Sequence, residues 1–220
     1  MTLQTLTFDP MNPVPLLKVD SYSYQAAKIH AQELDQWLGF DRDEVELNLR
    51  KINLNNQQTW AELSVQSFQT PYVEIRSALN LLDLKPGDRV ADLGSAYNRM
   101  GFVIGRYYPL NDYIGLEIAE SRVNHSQDRL QLWNFNNLDL RVGDLSEVEI
   151  PESEHYFIYD FGHNKAIQNV LAKLKHVALN KSIQVLARGR AVRHFIFNEN
   201  PWLFNHHSPQ NFEHFSLFKS

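Results

Sequence analysis

The chain contains no cysteine. That excludes disulfides and thiolate metal sites and sets the expectation of a cytoplasmic protein. It has no run of 18 or more apolar residues, so nothing in it reads as a membrane span. The opening MTLQTLTFDPMNPVPLL lacks a basic segment followed by an apolar one, so a signal peptide is not expected there. Positive charge is not in excess: 21 Lys and Arg stand against 26 Asp and Glu, a net charge of -5. A protein that held nucleic acid mainly through phosphates would show the opposite balance, so a nucleic-acid partner is disfavoured. Glycine is scarce, 9 in 220 residues, and nowhere falls as G-x-G-x-x-G or G-x-S-x-G. The dinucleotide fingerprint and the nucleophile elbow are therefore absent. The histidines His206, His207 and His214 have no carboxylate partner at ligand spacing, so no metal site is expected.

What is present is an ordinary globular composition, 43% hydrophobic, in a chain long enough for one domain and an appendage. Pro10, Pro13 and Pro15 hold the start extended. The apolar period of Ala27, Leu34 and Leu38 predicts a helix over 24–38, closed by Gly39. A second helix is predicted over 43–52, followed by a polar loop over 53–59. Trp60 to Leu63 is expected to pack this appendage on the rest. The division expected is 1–67, an extended segment and helical lid, and 68–220, the main domain.

From Thr70 onward the pattern alternates. Helix is predicted over 72–82, led by Pro71. Strands follow at 89–93, 113–118, 138–142, 156–159 and 183–187, with helices at 99–108, 121–135 and 165–178 between them. Strands alternating with helices of this length give βαβ units, a mostly parallel sheet and helices on both faces. The aromatic segments 202–205 and 212–218 are expected to close the sheet as an antiparallel hairpin. The fold class is therefore α/β with an N-terminal helical appendage. Arg188, Arg190, Arg193 and His194 form a basic cluster after the last parallel strand, read as solvated surface or an anion contact.

Ligands of open α/β sheets bind outside the carboxyl ends of the strands. Four successive strand ends here carry an acid: Asp92 with Gly94, Glu117, Asp144 after Gly143, and Asp160 with Phe161 and Gly162. One such acid alone is often only a helix cap. Glu117 follows Asp92 by 25 positions, near the offset at which a carboxylate accepts from ribose hydroxyls. Asp92 would repel a pyrophosphate, and suits the ammonium end of an amino acid.

The runs Val90-Ala91-Asp92-Leu93-Gly94-Ser95, Ile114-Gly115-Leu116-Glu117 and Val142-Gly143-Asp144-Leu145 resemble the first three motifs of class I S-adenosyl-L-methionine (SAM) dependent methyltransferases. The resemblance covers roughly residues 68–190. Thr70-Pro71 and Asp160-Phe161 make the outline most similar to the non-SET histone lysine methyltransferases of the telomeric-silencing disruptor type. The resemblance implies a Rossmann-like fold and SAM as cofactor. It implies that Asp92, Gly94, Ser95 and Ala96 hold the methionine moiety, Glu117 the ribose, and Asp144 with Leu145 the adenine. Thr70 and Tyr72 would reach or close over the methionine end. Asp160, Phe161 and Gly162 would line the acceptor channel, Asp160 and His163 serving as candidate bases. Phe161, Tyr72 and Tyr97 would form an aromatic mouth. The acceptor expected is a protein side chain, lysine included, or a small molecule. The family loop reads Asp-x-Gly-x-Gly-x-Gly, and Ala96 and Asn98 replace its last two glycines. That departure keeps a second reading open, a non-catalytic binding or scaffold protein on the same fold.

Overall fold

The computed structural model describes residues 6–51 and 63–220. The loop expected at 53–59 and most of the segment 60–63 lie outside the described residues. The appendage holds α1 (Tyr24–Trp37) and α2 (Asp43–Lys51). Ser23 starts α1 by accepting from the Ala26 amide, and Gly39 ends it at φ +74°, the left-handed turn that favours glycine. A short α3 (Val65–Phe68) and α4 (Tyr72–Leu79) lead to the sheet.

The sheet has seven strands in the order β3-β2-β1-β4-β5-β7-β6. They are β1 (Arg89–Leu93), β2 (Asp112–Glu117), β3 (Leu138–Val142), β4 (His155–Tyr159), β5 (Gln184–Arg188), β6 (Gln210–Asn211) and β7 (Phe215–Lys219). The first five pair in parallel, and β7 pairs antiparallel with both β5 and β6. The crossover helices are α5 (Arg99–Tyr107), α6 (Glu120–Leu130), α7 (Asn164–Ala178) and α8 (Arg190–Glu199).

Alternation along the strands divides the core. Val90, Tyr113, Phe157, Leu186 and Leu217 point to one face, where they join Leu34 of α1, Tyr72 and Leu79 of α4, and Phe102 and Ile104 of α5. Ala91, Leu93, Tyr156, Ile158 and Val185 point to the other, against Ile167 and Leu171 of α7 and Val192 and Ile196 of α8. The period of two is that of pleated strands buried on both sides. The appendage thus shares a core with the sheet.

Two expectations are corrected. Trp202–Asn205 is not the first arm of the hairpin. Pro201–Leu203 forms a single 3-10 turn with Pro201 at its start, and Gln210–Asn211 pairs with β7 instead. In the basic cluster after β5, Arg188 is instead buried and paired with Glu74, whereas Arg190 and His194 are exposed as expected.

Candidate cofactor site

The loop after β1 is built by backbone bonds to β2. The amides of Gly94 and Ser95 both donate to the Leu116 carbonyl, at 2.9 and 2.8 Å. Gly94 turns at φ +93°, and Ala96 and Asn98 follow at φ +48° and +54°. Both replacements therefore occupy the left-handed region in which L residues are strained and asparagine is best tolerated. Gly115, beside Asp92 in the pairing register, leaves room for the Asn98 side chain, the Tyr113 hydroxyl and the Ser95 hydroxyl. A Cβ there would collide with all three.

A cleft of about 360 Å³ opens at the carboxyl ends of β1 to β4, within the size range of small-molecule sites. Gly94, Ala96, Glu117, Asp144, Leu145, Asp160, Phe161 and His163 all line it. A small recess of about 20 Å³ next to it is lined by Thr70, Asp92, Gly94, Ser95 and Ala96, together with Gln69 and Arg99. Among the described residues, buried atoms of three of these side chains, the Gln69 amide, the Thr70 hydroxyl and the Ser95 hydroxyl, have no hydrogen-bond partner. Unpaired buried polar atoms are costly, and a polar ligand end would satisfy them.

Each acid has a distinct environment. Asp92 is buried and accepts from the Tyr113 hydroxyl at 3.1 Å. Burial pushes its carboxyl up to about 7; the Tyr113 bond opposes the rise and the nearby Glu117 adds to it. Glu117 accepts from the Ala96 amide at 2.9 Å and the Ala119 amide at 3.0 Å, with Arg122 at 3.4 Å. A carboxylate has about four acceptor positions, so most of Glu117 already braces the loop. Asp144 accepts from the Ser146 amide and hydroxyl at 2.8 and 2.7 Å, shaping the turn after β3. Lys173 of α7 fixes the same turn, its ammonium donating to the carbonyls of Leu145, Ser146 and Val148 at 2.8 to 3.1 Å.

Asp160 accepts from the Ala191 and Val192 amides at 3.2 and 2.9 Å. It caps α8 across Gly189, the simpler of the two roles that a strand-end acid can take. It lines the cleft as well. His163 stands exposed at the N-cap position of α7.

The aromatic mouth is also corrected. Tyr72 is fully buried, its ring against Phe102 and its hydroxyl donating to Asp35 at 2.7 Å. Tyr97 packs on Phe40 and His125 and donates to Glu46 at 2.7 Å. Neither lines the cleft or the recess. The rings that do so beside Phe161 are Phe68 and Tyr159, which sequence reasoning missed. Phe68 lies in a four-residue helix too short to show a period, and Tyr159 closes the strand predicted over 156–159, one residue before Asp160. Arg122 and Lys173 were missed too, since their partners are remote in sequence, and so was Gln69, which precedes Thr70 without any motif of its own.

Neither family models nor curated proteins give a match to this chain. Solved structures do. TrmN from Thermus thermophilus is 14% identical, with 68% of this chain and 48% of that one covered at a TM-score of 0.54. The chain thus spans about half the length of TrmN. An RNA methyltransferase from Salinibacter ruber in complex with S-adenosyl-L-homocysteine is 18% identical over 69% and 91% of the two chains, TM-score 0.49. A SAM-dependent methyltransferase from Aquifex aeolicus is 12% identical over 66% and 88%, TM-score 0.49. At such identities the likeness is one of fold. The likeness to TrmN, together with the strand order and the reversed β7, defines a Rossmann-like methyltransferase fold.

Proposed function

We propose that the chain is a SAM-dependent methyltransferase acting on a protein side chain or a small molecule. The observation that carries this reading is the pairing of the cleft with its recess. Glu117, Asp144 and Leu145 line the former, and a buried Asp92 with unpaired Gln69, Thr70 and Ser95 atoms lines the latter. An adenosine suits the first set by the chemistry of its donors, and the polar atoms of the second suit the terminal groups of an amino-acid end lying in the adjoining cleft. Asp92, Gly94, Ser95 and Ala96 would hold the methionine moiety, Glu117 a ribose hydroxyl, and Asp144 with Leu145 the adenine. When bound, SAM supplies an electrophilic methyl group on its sulfonium.

The rest is the work of this chain's own residues. Phe68, Tyr159 and Phe161 present faces that orient an acceptor and exclude water, and proximity of this kind is the main catalytic contribution in group transfer. An acceptor that arrives protonated needs a base. His163 and Asp160, which both line the cleft, are the groups placed to take that proton; Asp160 keeps acceptor capacity beyond its two bonds to α8. An alkylammonium acceptor such as lysine suits the three rings by cation–π contact, although Lys165 on the same rim adds a like charge. The preserved loop turns at Ala96 and Asn98 favour a binding-competent site over the scaffold reading.

Calorimetric titration tests the assignment. SAM and S-adenosylhomocysteine are expected to bind in the micromolar range, and Glu117→Gln to weaken both about tenfold, or ~1.4 kcal/mol. No heat at millimolar ligand would refute it.

A further inference from the structure

Two buried ion networks tie the appendage to the loop after β1. In one, Asp35 of α1 is paired with Arg99 and Arg42, and Arg99 donates to the Thr70 carbonyl at 3.2 Å. In the other, Glu46 of α2 receives Arg122 through two bonds of 2.9 Å, and its Oε1 also accepts the Tyr97 hydroxyl. Glu46 and Arg122 are 4% and 2% exposed. The third arm of Arg122 stands 3.4 Å from Glu117, and its guanidinium lies 4.7 Å from the centre of the Phe68 ring. A single cation is thus shared unequally between two buried carboxylates, two short bonds going to Glu46 and one long contact to Glu117.

That inequality matters for the cleft. Glu117 braces Ala96 and has little acceptor capacity left. An arginine freed from Glu46 would close on Glu117 in the bidentate geometry that arginine and carboxylate favour. It would then occupy the oxygens that face the loop and the cleft, and carry Phe68 with it.

We propose that Glu46, although it lies in the N-terminal appendage and lines neither the cleft nor the recess, is a positioning residue for the cofactor cleft. Through Arg122 it keeps Glu117 available, and through Tyr97 it fixes the loop. The proposal rests on the cofactor reading above for its ligand, but not for the loop.

The test is a double-mutant cycle read by S-adenosylhomocysteine affinity, with hydrogen exchange of the 94–101 segment in the ligand-free protein. Glu46→Gln is expected to weaken binding at least tenfold and to speed exchange of that segment about tenfold, leaving β4 and β5 unchanged. Adding Arg122→Met to Glu46→Gln is expected to restore affinity to within about threefold of wild type. The double variant has no freed cation to close on Glu117, whose carboxylate keeps the Ala96 and Ala119 amides. A purely structural role predicts a double variant no better than the single, and that result overturns the proposal. So does Glu46→Gln binding within twofold of wild type. If Glu46→Gln does not fold, Tyr97→Phe removes one hydroxyl bond; about threefold weaker binding with faster loop exchange is expected, and no change in either overturns the proposal. Failure of the wild type to bind refutes the cofactor reading instead, and unchanged loop exchange in the variants then refutes the positioning role separately.

Discussion

Ala96 is the residue at which chain chemistry and backbone geometry disagree most. Its φ of +48° belongs to the region glycine occupies freely, and an L residue there costs roughly 1–2 kcal/mol. Ala96→Gly is therefore expected to stabilise the fold by about 1 kcal/mol, somewhat offset by added freedom of the unfolded chain. Thermal melting checks this; a lower melting temperature would mean that the methyl packs usefully. Asn98 needs no such correction, because asparagine tolerates φ +54°, and this much could be read from the sequence. Asp92 gives the second expectation at this scale. Its folded-state value near 7, raised mainly by burial, lies above the ordinary carboxylate value of 3.8. The folded state then binds the proton more tightly than the unfolded state, so this group's contribution to stability declines as pH rises from about 4 to 7. Binding of a cationic amino-acid end needs the ionised form, and is expected to strengthen between pH 5.5 and 8. Asp92→Asn should flatten both profiles, as melting and calorimetry across that range would reveal; profiles that keep their slope would assign the titration to another group.

Among the elements, strands were the easiest to read, because five of them are short apolar runs bounded by turns and helices. Helix α8 was not. Its cap comes from Asp160, about thirty positions upstream, and Gly189 at its own N-terminus carries no side chain to announce it. The same distance in sequence hid the cap role of Asp160. Asp160→Ala is expected to lose about 1 kcal/mol of stability, with Asp160→Asn retaining part of it through one remaining acceptor. Melting curves of the two variants measure the difference, and equal curves would argue against the cap. The hairpin was half legible: the aromatic run of β7 shows in the sequence, whereas two polar residues, Gln210 and Asn211, carry no strand pattern at all.

For the whole molecule, the sequence separates an appendage from a domain, and the packing joins them. Leu34, Tyr72 and Phe102 meet in one core cluster, and Asp35, next to Leu34 on α1, is buried against Arg99 and Arg42. Burial works to raise the Asp35 carboxyl, but the two arginines outweigh it and hold the group below its ordinary value. Removing one partner of such a network strands the others, at a cost of roughly 3–5 kcal/mol. Asp35→Ala is expected to lower stability by that amount in denaturant titration, a large share of the ~5–15 kcal/mol that holds a typical protein folded. No pattern in a single sequence pairs Asp35 with Arg99 or Glu46 with Arg122, since those contacts span 64 and 76 positions. The strand-end acids were legible because topology alone delivers them to one rim; their individual bonding was not.

The central claim is that the ends of β1, β2 and β3 form a SAM site. The most direct measurement is hydrogen exchange of the protein with and without saturating S-adenosylhomocysteine. Slower exchange confined to residues 94–99, 116–119 and 143–146, with the β6–β7 hairpin unchanged, is the predicted result. Binding without protection of those segments would place the ligand elsewhere and contradict the claim.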